Sequence, residues 1–173
     1  MKTPSIAAVV LFERCLVKQT PQAFGSFFQR AVAHALARVN GYQGCYQNPG
    51  AGQPDIIAGT TGFEVKSTES GRIELAGNYE AIRPHYKDFR LVALRTDIRP
   101  FALWVLQISQ TVPRVITLGT AIDPLTPPDE SLELALAQQL SFVVETAGTL
   151  WSDASSPTAS GEALTRVLNP TER

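Results

Sequence analysis

Three charged side chains come close together in the sequence at a predicted hairpin. Asp55 precedes the apolar run 56–58, and Glu64 and Lys66 lie in a second run of strand-forming residues. Gly-containing residues join the two runs, as is typical of a β-hairpin. Because side chains alternate between faces in a strand, Glu64 and Lys66 share one face and Val65 points to the other, toward the core. The simple pairing register puts Asp55 beside Glu64 or Lys66.

Two neighbouring carboxylates with an ammonium group beside them suit phosphodiester hydrolysis. Carboxylate oxygens bind hard divalent cations such as Mg²⁺. The bound ion polarises a phosphoryl oxygen and generates hydroxide from water. A lysine beside it orients the water and offsets negative charge in the transition state. The plainer interpretation is an exposed Glu64–Lys66 ion pair worth roughly 0.2–1 kcal/mol, with Asp55 as a turn residue.

The pattern Pro54-Asp55 followed by Glu64-Val65-Lys66 resembles the signature of the PD-(D/E)XK nuclease superfamily. That superfamily includes type II restriction endonucleases, archaeal-type Holliday junction resolvases and several repair nucleases. The resemblance implies a core of helix, three antiparallel strands, helix and strand. It also implies Mg²⁺-dependent cleavage of double-stranded DNA, with Mn²⁺ as an expected substitute. Asp55, Glu64 and the Val65 backbone carbonyl would then be the metal ligands, and Lys66 the catalytic lysine.

The first helix departs from the family pattern. In many members this helix supplies another acidic residue to the metal site, whereas the predicted helix here contains none. Gln29 occupies a plausible place in it, and Glu13 is the nearest upstream acid and a further candidate ligand. One ion held mainly by Asp55 and Glu64 is therefore the simplest expectation.

Composition favours a single globular domain over the 173 residues, with 44% of them hydrophobic. The two cysteines, Cys15 and Cys45, form no disulfide framework and have no metal-type spacing, which favours the reducing cytoplasm. No apolar stretch approaches the roughly 20 residues of a membrane helix. We therefore expect a cytoplasmic protein without membrane contact.

Charge is unevenly distributed along a chain whose net charge is −1. Residues 1–100 hold twelve Lys/Arg and eight Asp/Glu, whereas residues 101–173 hold three and eight. The basic excess accompanies the motif, as is typical of a nucleic-acid-binding face. An acidic C-terminal helix explains the same asymmetry equally well.

The flanking pattern predicts an α/β fold with a mixed central sheet flanked by helices, which agrees with the restriction endonuclease-like core that the resemblance implies. Thr20-Pro21 begins an amphipathic helix that Asn40-Gly41 ends. The catalytic core spans about 21–108. Strands are predicted over 42–47, 89–94, 101–108 and 112–118, helices over 75–87 and about 129–147, a further helix within 4–18, and a flexible tail over about 152–161.

Polar residues around the motif are candidate DNA contacts, and a solvated polar surface is the alternative role for them. They are Gln29, Arg30, Gln53, Ser67, Thr68, Arg72, Arg83, His85 and Lys87.

Three functions remain open at this point. The first is a type II restriction endonuclease acting as a homodimer, whose twofold symmetry matches a palindromic site. The second is a structure-selective junction resolvase or repair nuclease. Such enzymes are often more basic, so the near-neutral charge favours the first. The third is a non-catalytic DNA-binding module, against which the intact Asp55, Glu64 and Lys66 argue.

Overall fold

The computed structural model describes residues 7–9, 20–48, 53–75, 85–108, 114–119 and 126–152. Its elements in chain order are β1 (Ala7–Val9), α1 (Pro21–Leu36), β2 (Tyr46–Gln47), β3 (Ile56–Ala58), β4 (Thr61–Thr68), β5 (Arg72–Glu74), β6 (Asp88–Arg95), β7 (Phe101–Gln107), β8 (Val115–Thr117) and α2 (Glu130–Ser152). No helix in this described part is long and apolar enough to cross a membrane.

The central sheet has six described strands in the order β1-β7-β6-β4-β3-β2. Strands β2, β3 and β4 form an antiparallel meander, and β6 then pairs parallel to β4. Strands β7 and β1 continue the sheet in antiparallel pairing. A parallel neighbour requires a crossover connection, which the segment between β4 and β6 provides. The predicted α/β class with a mixed central sheet is confirmed.

Both described helices pack on one face of this sheet. Thr20 caps α1 by accepting a hydrogen bond from the amide of Ala23, and Pro21 takes the first helical position. The apolar stripe of α1 and the buried side of α2 meet the odd-numbered side chains of β4 and β7 in one core. Its largest members on α1 are Phe24, Phe27 and Phe28.

A second, smaller core lies on the opposite face, under the two-stranded sheet of β5 and β8. Arg95, at the end of β6, joins the two sheets. Its guanidinium donates to the carbonyl of Leu118 and forms two hydrogen bonds with Asp97. It fills the space beside Gly71 and Gly119, where an added Cβ would lie 3.0 and 3.2 Å from guanidinium atoms. Both glycines have positive φ, so their turns and this close approach require glycine.

The residues that lead into α2, and its first turn, lie along the part of the β7 edge that does not pair with β1. The amide of Asp129 donates to the carbonyl of Val105, and the amide of Val105 donates to Oε2 of Glu133 over 3.0 Å. The amide of Gln107 donates to the carbonyl of Pro127. Glu133 is fully buried, so a carboxylate inside the protein takes the place of a neighbouring strand.

Several sequence-based boundaries were wrong. The helix predicted within 4–18 is a strand at 7–9, because these residues pair with β7. Strand β5 was not predicted, and the strand expected over 42–47 is limited to 46–47. The last helix runs beyond its predicted end, to Ser152. Most of the helix predicted over 75–87, and the tail beyond Ser152, lie outside the described residues.

Candidate metal-binding site

The predicted hairpin is confirmed as β3 and β4. Ile56 pairs with Phe63 and Ala58 with Thr61, and Gly59 takes a positive φ in the turn between them. One step further along this register, Asp55 lies opposite Glu64.

The three charged side chains of the motif meet on one face of the sheet. Lys66 Nζ lies 2.7 Å from Glu64 Oε1 and 3.9 Å from Asp55 Oδ2. The Val65 side chain points into the helix-side core, as predicted. The side chains of Asp55, Glu64 and Lys66 are 23%, 15% and 39% exposed, so the cluster is open to solvent mainly at the lysine.

A backbone amide holds one of the two carboxylates in position. Asp55 Oδ2 accepts a hydrogen bond from the amide of Val65 over 2.9 Å. The carboxylate of Glu64 is paired instead with the Lys66 ammonium, 2.7 Å from its Oε1. Strand β4 therefore orients the acid that precedes β3 and carries the second acid itself.

The residue before Asp55 is fixed by close packing. Pro54 is buried, and a Cβ added at Gly62 would lie 3.0 Å both from Pro54 Cγ and from Phe89 Cε2. Gly62 thus leaves the room in which Pro54 lies against β4. The proline fixes its own φ, so the chain enters β3 in a set direction at Asp55.

The Val65 carbonyl faces the same edge as the carboxylates. The amide of Thr96 donates to the carbonyl of Thr68, so Thr68 directs its backbone groups toward β6. Backbone direction alternates along a strand, so Val65 directs both its amide and its carbonyl to the opposite side. Its amide meets Asp55 there. The Val65 carbonyl therefore points to the β3 side of β4, at a position where β4 continues beyond its pairing with β3.

Burial and mutual charge shift the pKa values of the cluster. Burial raises the pKa of Glu64 above its usual value, the Lys66 ammonium lowers it in part, and the Asp55 carboxylate raises it further. Burial by itself would lower the pKa of Lys66, but the adjacent Glu64 and the nearby Asp55 raise it above its usual value. Lys66 is therefore an ammonium group at neutral pH, suited to stabilise negative charge rather than to accept a proton.

The donor set fits a magnesium ion with several bound waters. Two carboxylates and one backbone carbonyl are hard oxygen donors, and Mg²⁺ is commonly held by one or two carboxylates with water at its remaining positions. Among the described residues, no cluster of three or more His, Cys, Asp or Glu side chains forms a larger cage. Asp55, Glu64 and the Val65 carbonyl would hold such an ion.

The other predicted contacts are scattered. Gln29 and Arg30 belong to α1, which packs on the face opposite Glu64 and Lys66. The Thr68 hydroxyl donates to the carbonyl of Arg72 and accepts from the amide of Ser70, so it belongs to the turn after β4. Ser67 alternates onto the α1 side of β4.

The remaining candidates are exposed or outside the described residues. The Arg72 side chain pairs with Glu74. Gln53 accepts a hydrogen bond from the Tyr86 hydroxyl, and His85 and Lys87 are exposed nearby. Glu13 and Arg83 lie outside the described part of the chain.

An open groove of about 540 Å³ lies away from these carboxylates, between the end of α1 and the start of α2. Arg38, Tyr42 and Asp129 line it. Asp129 caps α2 through the amide of Leu132 and pairs with the largely buried Arg90 over 3.2 Å, which is a structural role. The groove is therefore separate from the candidate metal site.

Comparison of the chain with family models, with curated proteins and with solved structures finds no match.

Proposed function

We propose that this protein is a Mg²⁺-dependent endodeoxyribonuclease of the PD-(D/E)XK type, with Asp55, Glu64 and Lys66 as its catalytic residues. The observation that carries the proposal is their convergence: Lys66 Nζ is within 4 Å of both carboxylates, on an edge that also bears the Val65 carbonyl. An isolated surface ion pair would need neither the second acid nor the backbone hydrogen bond that orients Asp55.

The order of elements also supports the proposal. The resemblance implies a helix, three antiparallel strands, a helix and a strand. The described chain has α1, then the antiparallel strands β2, β3 and β4, and then β6, which lies beside β4. The helix expected before the last strand falls mostly on residues 76–84, outside the described part.

In the proposed mechanism, Asp55, Glu64 and the Val65 carbonyl would hold the ion beside the scissile phosphate. When bound, the ion would supply Lewis-acid activation of the phosphate and of a water molecule. Lys66 positions the attacking water by hydrogen bonding and its charge stabilises the pentacovalent transition state. The raised pKa of Lys66 suits this electrostatic role.

The substrate is proposed to be double-stranded DNA, and two modes of selection are proposed alternatives. A homodimer cutting both strands of a palindromic site would be a type II restriction endonuclease. A junction resolvase or repair nuclease would instead select a branched structure and read phosphates more than base edges. The two modes differ in whether the enzyme recognises a base sequence or the shape of a branched DNA.

The first experiment incubates the purified full chain with long duplex DNA and, in parallel, with a four-way junction, each with Mg²⁺ or EDTA. We expect Mg²⁺-dependent cleavage on a gel, and Lys66→Ala should lower its rate by about a thousandfold or more while leaving the far-ultraviolet dichroism unchanged. Glu74→Ala is the matched control, because it removes an exposed, ion-paired acid of β5 outside the site.

Discrete bands from the duplex would support the restriction mode, and cleavage of the junction alone would support the structure-selective mode. Substantial activity retained by Lys66→Ala would remove this lysine from the mechanism. A wild-type chain inert on both substrates, and on a duplex with a single-stranded arm tested beside them, would overturn the nuclease proposal.

A further inference from the structure

A row of side chains crosses the site's face of the sheet next to the carboxylates. The pairing register aligns Tyr46 of β2 with Ile57 of β3, Ile57 with Gly62 of β4, and Gly62 with Phe89 of β6. Residues aligned in this way point to the same face of a sheet. Gly62 and Glu64 are two residues apart on one strand, so this row lies on the face that carries Glu64.

A second tyrosine, Tyr86, packs against Phe89 at one end of this row. The ring of Tyr86 meets the ring of Phe89 edge to face, with centroids 6.0 Å apart, and its hydroxyl donates to Oε1 of Gln53 over 3.0 Å. The phenol of Tyr46 is close enough to add to the raised pKa of Tyr86, whose first cause is burial. We call Tyr46, Tyr86 and Gln53 the tyrosine ledge.

The tyrosine ledge directly adjoins the metal-binding carboxylates. The Tyr46 row and the Asp55–Glu64 row are two residues apart along the strands, which is roughly 7 Å. Gln53 is connected to Asp55 through Pro54 alone. A nucleotide whose phosphate lies at the carboxylates can therefore put its base, or that of its neighbour, over the ledge.

The chemistry of the tyrosine ledge matches a nucleobase better than it matches protein packing. Tyr46 is 57% exposed at the start of a two-residue edge strand, so its ring is accessible to a ligand. Aromatic rings stack on bases without regard to sequence, and the Gln53 amide offers hydrogen bonds to a base edge. The exposed His85 and Lys87 next to Tyr86 add groups that can meet a phosphate.

We propose that the tyrosine ledge stacks an unpaired base beside the scissile phosphate, so that the preferred substrate is DNA in which a duplex carries a single-stranded arm. The inference rests on the proposed function for the position of that phosphate. In a fully paired duplex each base is already stacked between its neighbours, so its faces are not available to the two tyrosines. A fork or flap presents a free base to them.

The test measures binding separately from cleavage. Fluorescence anisotropy of the full chain in EDTA compares a labelled duplex with the same duplex bearing an unpaired arm. We expect the armed duplex to bind about tenfold tighter. Tyr46→Ala should remove most of that preference, a loss of about five- to tenfold in affinity for the armed duplex, whereas Tyr46→Phe should retain it.

Phe142→Ala is the matched control, since Phe142 is another exposed aromatic residue but lies on α2, on the other side of the sheet. It should leave both affinities unchanged. Because Tyr46 is exposed, none of these variants is expected to unfold the protein.

The outcomes separate this inference from the proposed function. Equal binding of both DNAs, with Tyr46→Ala without effect and Mg²⁺-dependent hydrolysis intact, would overturn the ledge and leave the nuclease standing. Tyr46-dependent binding of the arm without hydrolysis in any divalent metal would support the ledge and overturn the nuclease. Absence of both binding and hydrolysis would overturn both.

Discussion

Two carboxylates in this protein accept a hydrogen bond from a backbone amide of the central sheet, and they do so in opposite surroundings. Asp55 accepts from Val65 on β4, and Glu133 accepts from Val105 on β7. Glu133 is fully buried among the apolar side chains beneath α2. Asp55 is partly exposed, with a second acid and a lysine beside it.

The difference distinguishes a structural acid, Glu133, from Asp55, the acid proposed to be functional. Glu133 is buried, so removing its carboxylate takes away the acceptor of the Val105 amide inside the protein, where an unpaired amide is costly. At Asp55 the amide orients an acid whose other oxygen remains available. Asp55, Glu64 and Lys66 lie together on one partly buried face, and a cluster of ionisable groups of this kind is a candidate functional site.

The largest stability effect should therefore come from Glu133. We expect Glu133→Ala to lower the free energy of unfolding by about 2 kcal/mol or more, because the amide of Val105 loses its acceptor inside the protein. Asp55→Ala should cost at most about 1 kcal/mol, because solvent can reach the amide of Val65. Urea denaturation measures both values.

Glu133→Gln is the control for this prediction, since its amide oxygen can still accept from Val105, and its effect should be smaller than that of Glu133→Ala. The hydrolysis rate per folded molecule of either Glu133 variant should match the wild type. A larger loss of stability from Asp55→Ala than from Glu133→Ala would contradict the division into structural and functional acids.

A smaller effect should appear in the pH dependence of stability. The pKa of Glu64 is raised in the folded protein, so folding favours its protonated form. This contribution is fully present below the unfolded pKa, near 4.5, and is lost as pH rises through the folded value. Replacing Glu64 by the neutral Gln should thus leave the metal-free protein equally stable or up to about 1 kcal/mol more stable at neutral pH.

Added Mn²⁺ should act in the opposite direction, because the ion binds the ionised carboxylate. Thermal unfolding scans should show a rise in Tm with Mn²⁺ at neutral pH that disappears as Glu64 becomes protonated, and no comparable rise in Glu64→Gln. The raised pKa of Lys66 affects stability only in the alkaline range, so it does not change the Tm in the pH range of this measurement. A rise in Tm that is insensitive to pH and to Glu64→Gln would exclude Glu64 as a ligand.

The meeting of the three charged groups was predictable from the sequence because it is local. Alternation along β4 puts Glu64 and Lys66 on one face, and the short turn at Gly59 fixes the register of Asp55. The helix α1 was equally visible, since Thr20 and Pro21 begin it and its phenylalanines follow helical spacing. These signals need no knowledge of distant contacts.

What the sequence did not show depends on distant partners. Ala7–Val9 became a strand because it pairs with β7, more than ninety residues away. In the sequence, Glu133 is an acid in the first turn of a helix, where the helix dipole favours negative charge. Only the position of β7 provides the amide from which its carboxylate accepts a hydrogen bond. No sequence pattern marks Tyr46. Its neighbours across the sheet are set by two pairing registers, that of β2 with β3 and that of β3 with β4.

The hydrogen bonds of Asp55 and Glu133 also close loops of different length in the chain. Loop length affects which of the two hydrogen bonds forms first during folding. Asp55 and Val65 are 10 residues apart, whereas Val105 and Glu133 are 28 apart and need α2 in place. Closing the shorter loop costs less entropy. We expect pulsed hydrogen exchange during refolding to protect the amide of Val65 before that of Val105, and the reverse order would contradict this. The charged cluster would then assemble as part of a nascent hairpin, before the sheet edge at β7 is sealed.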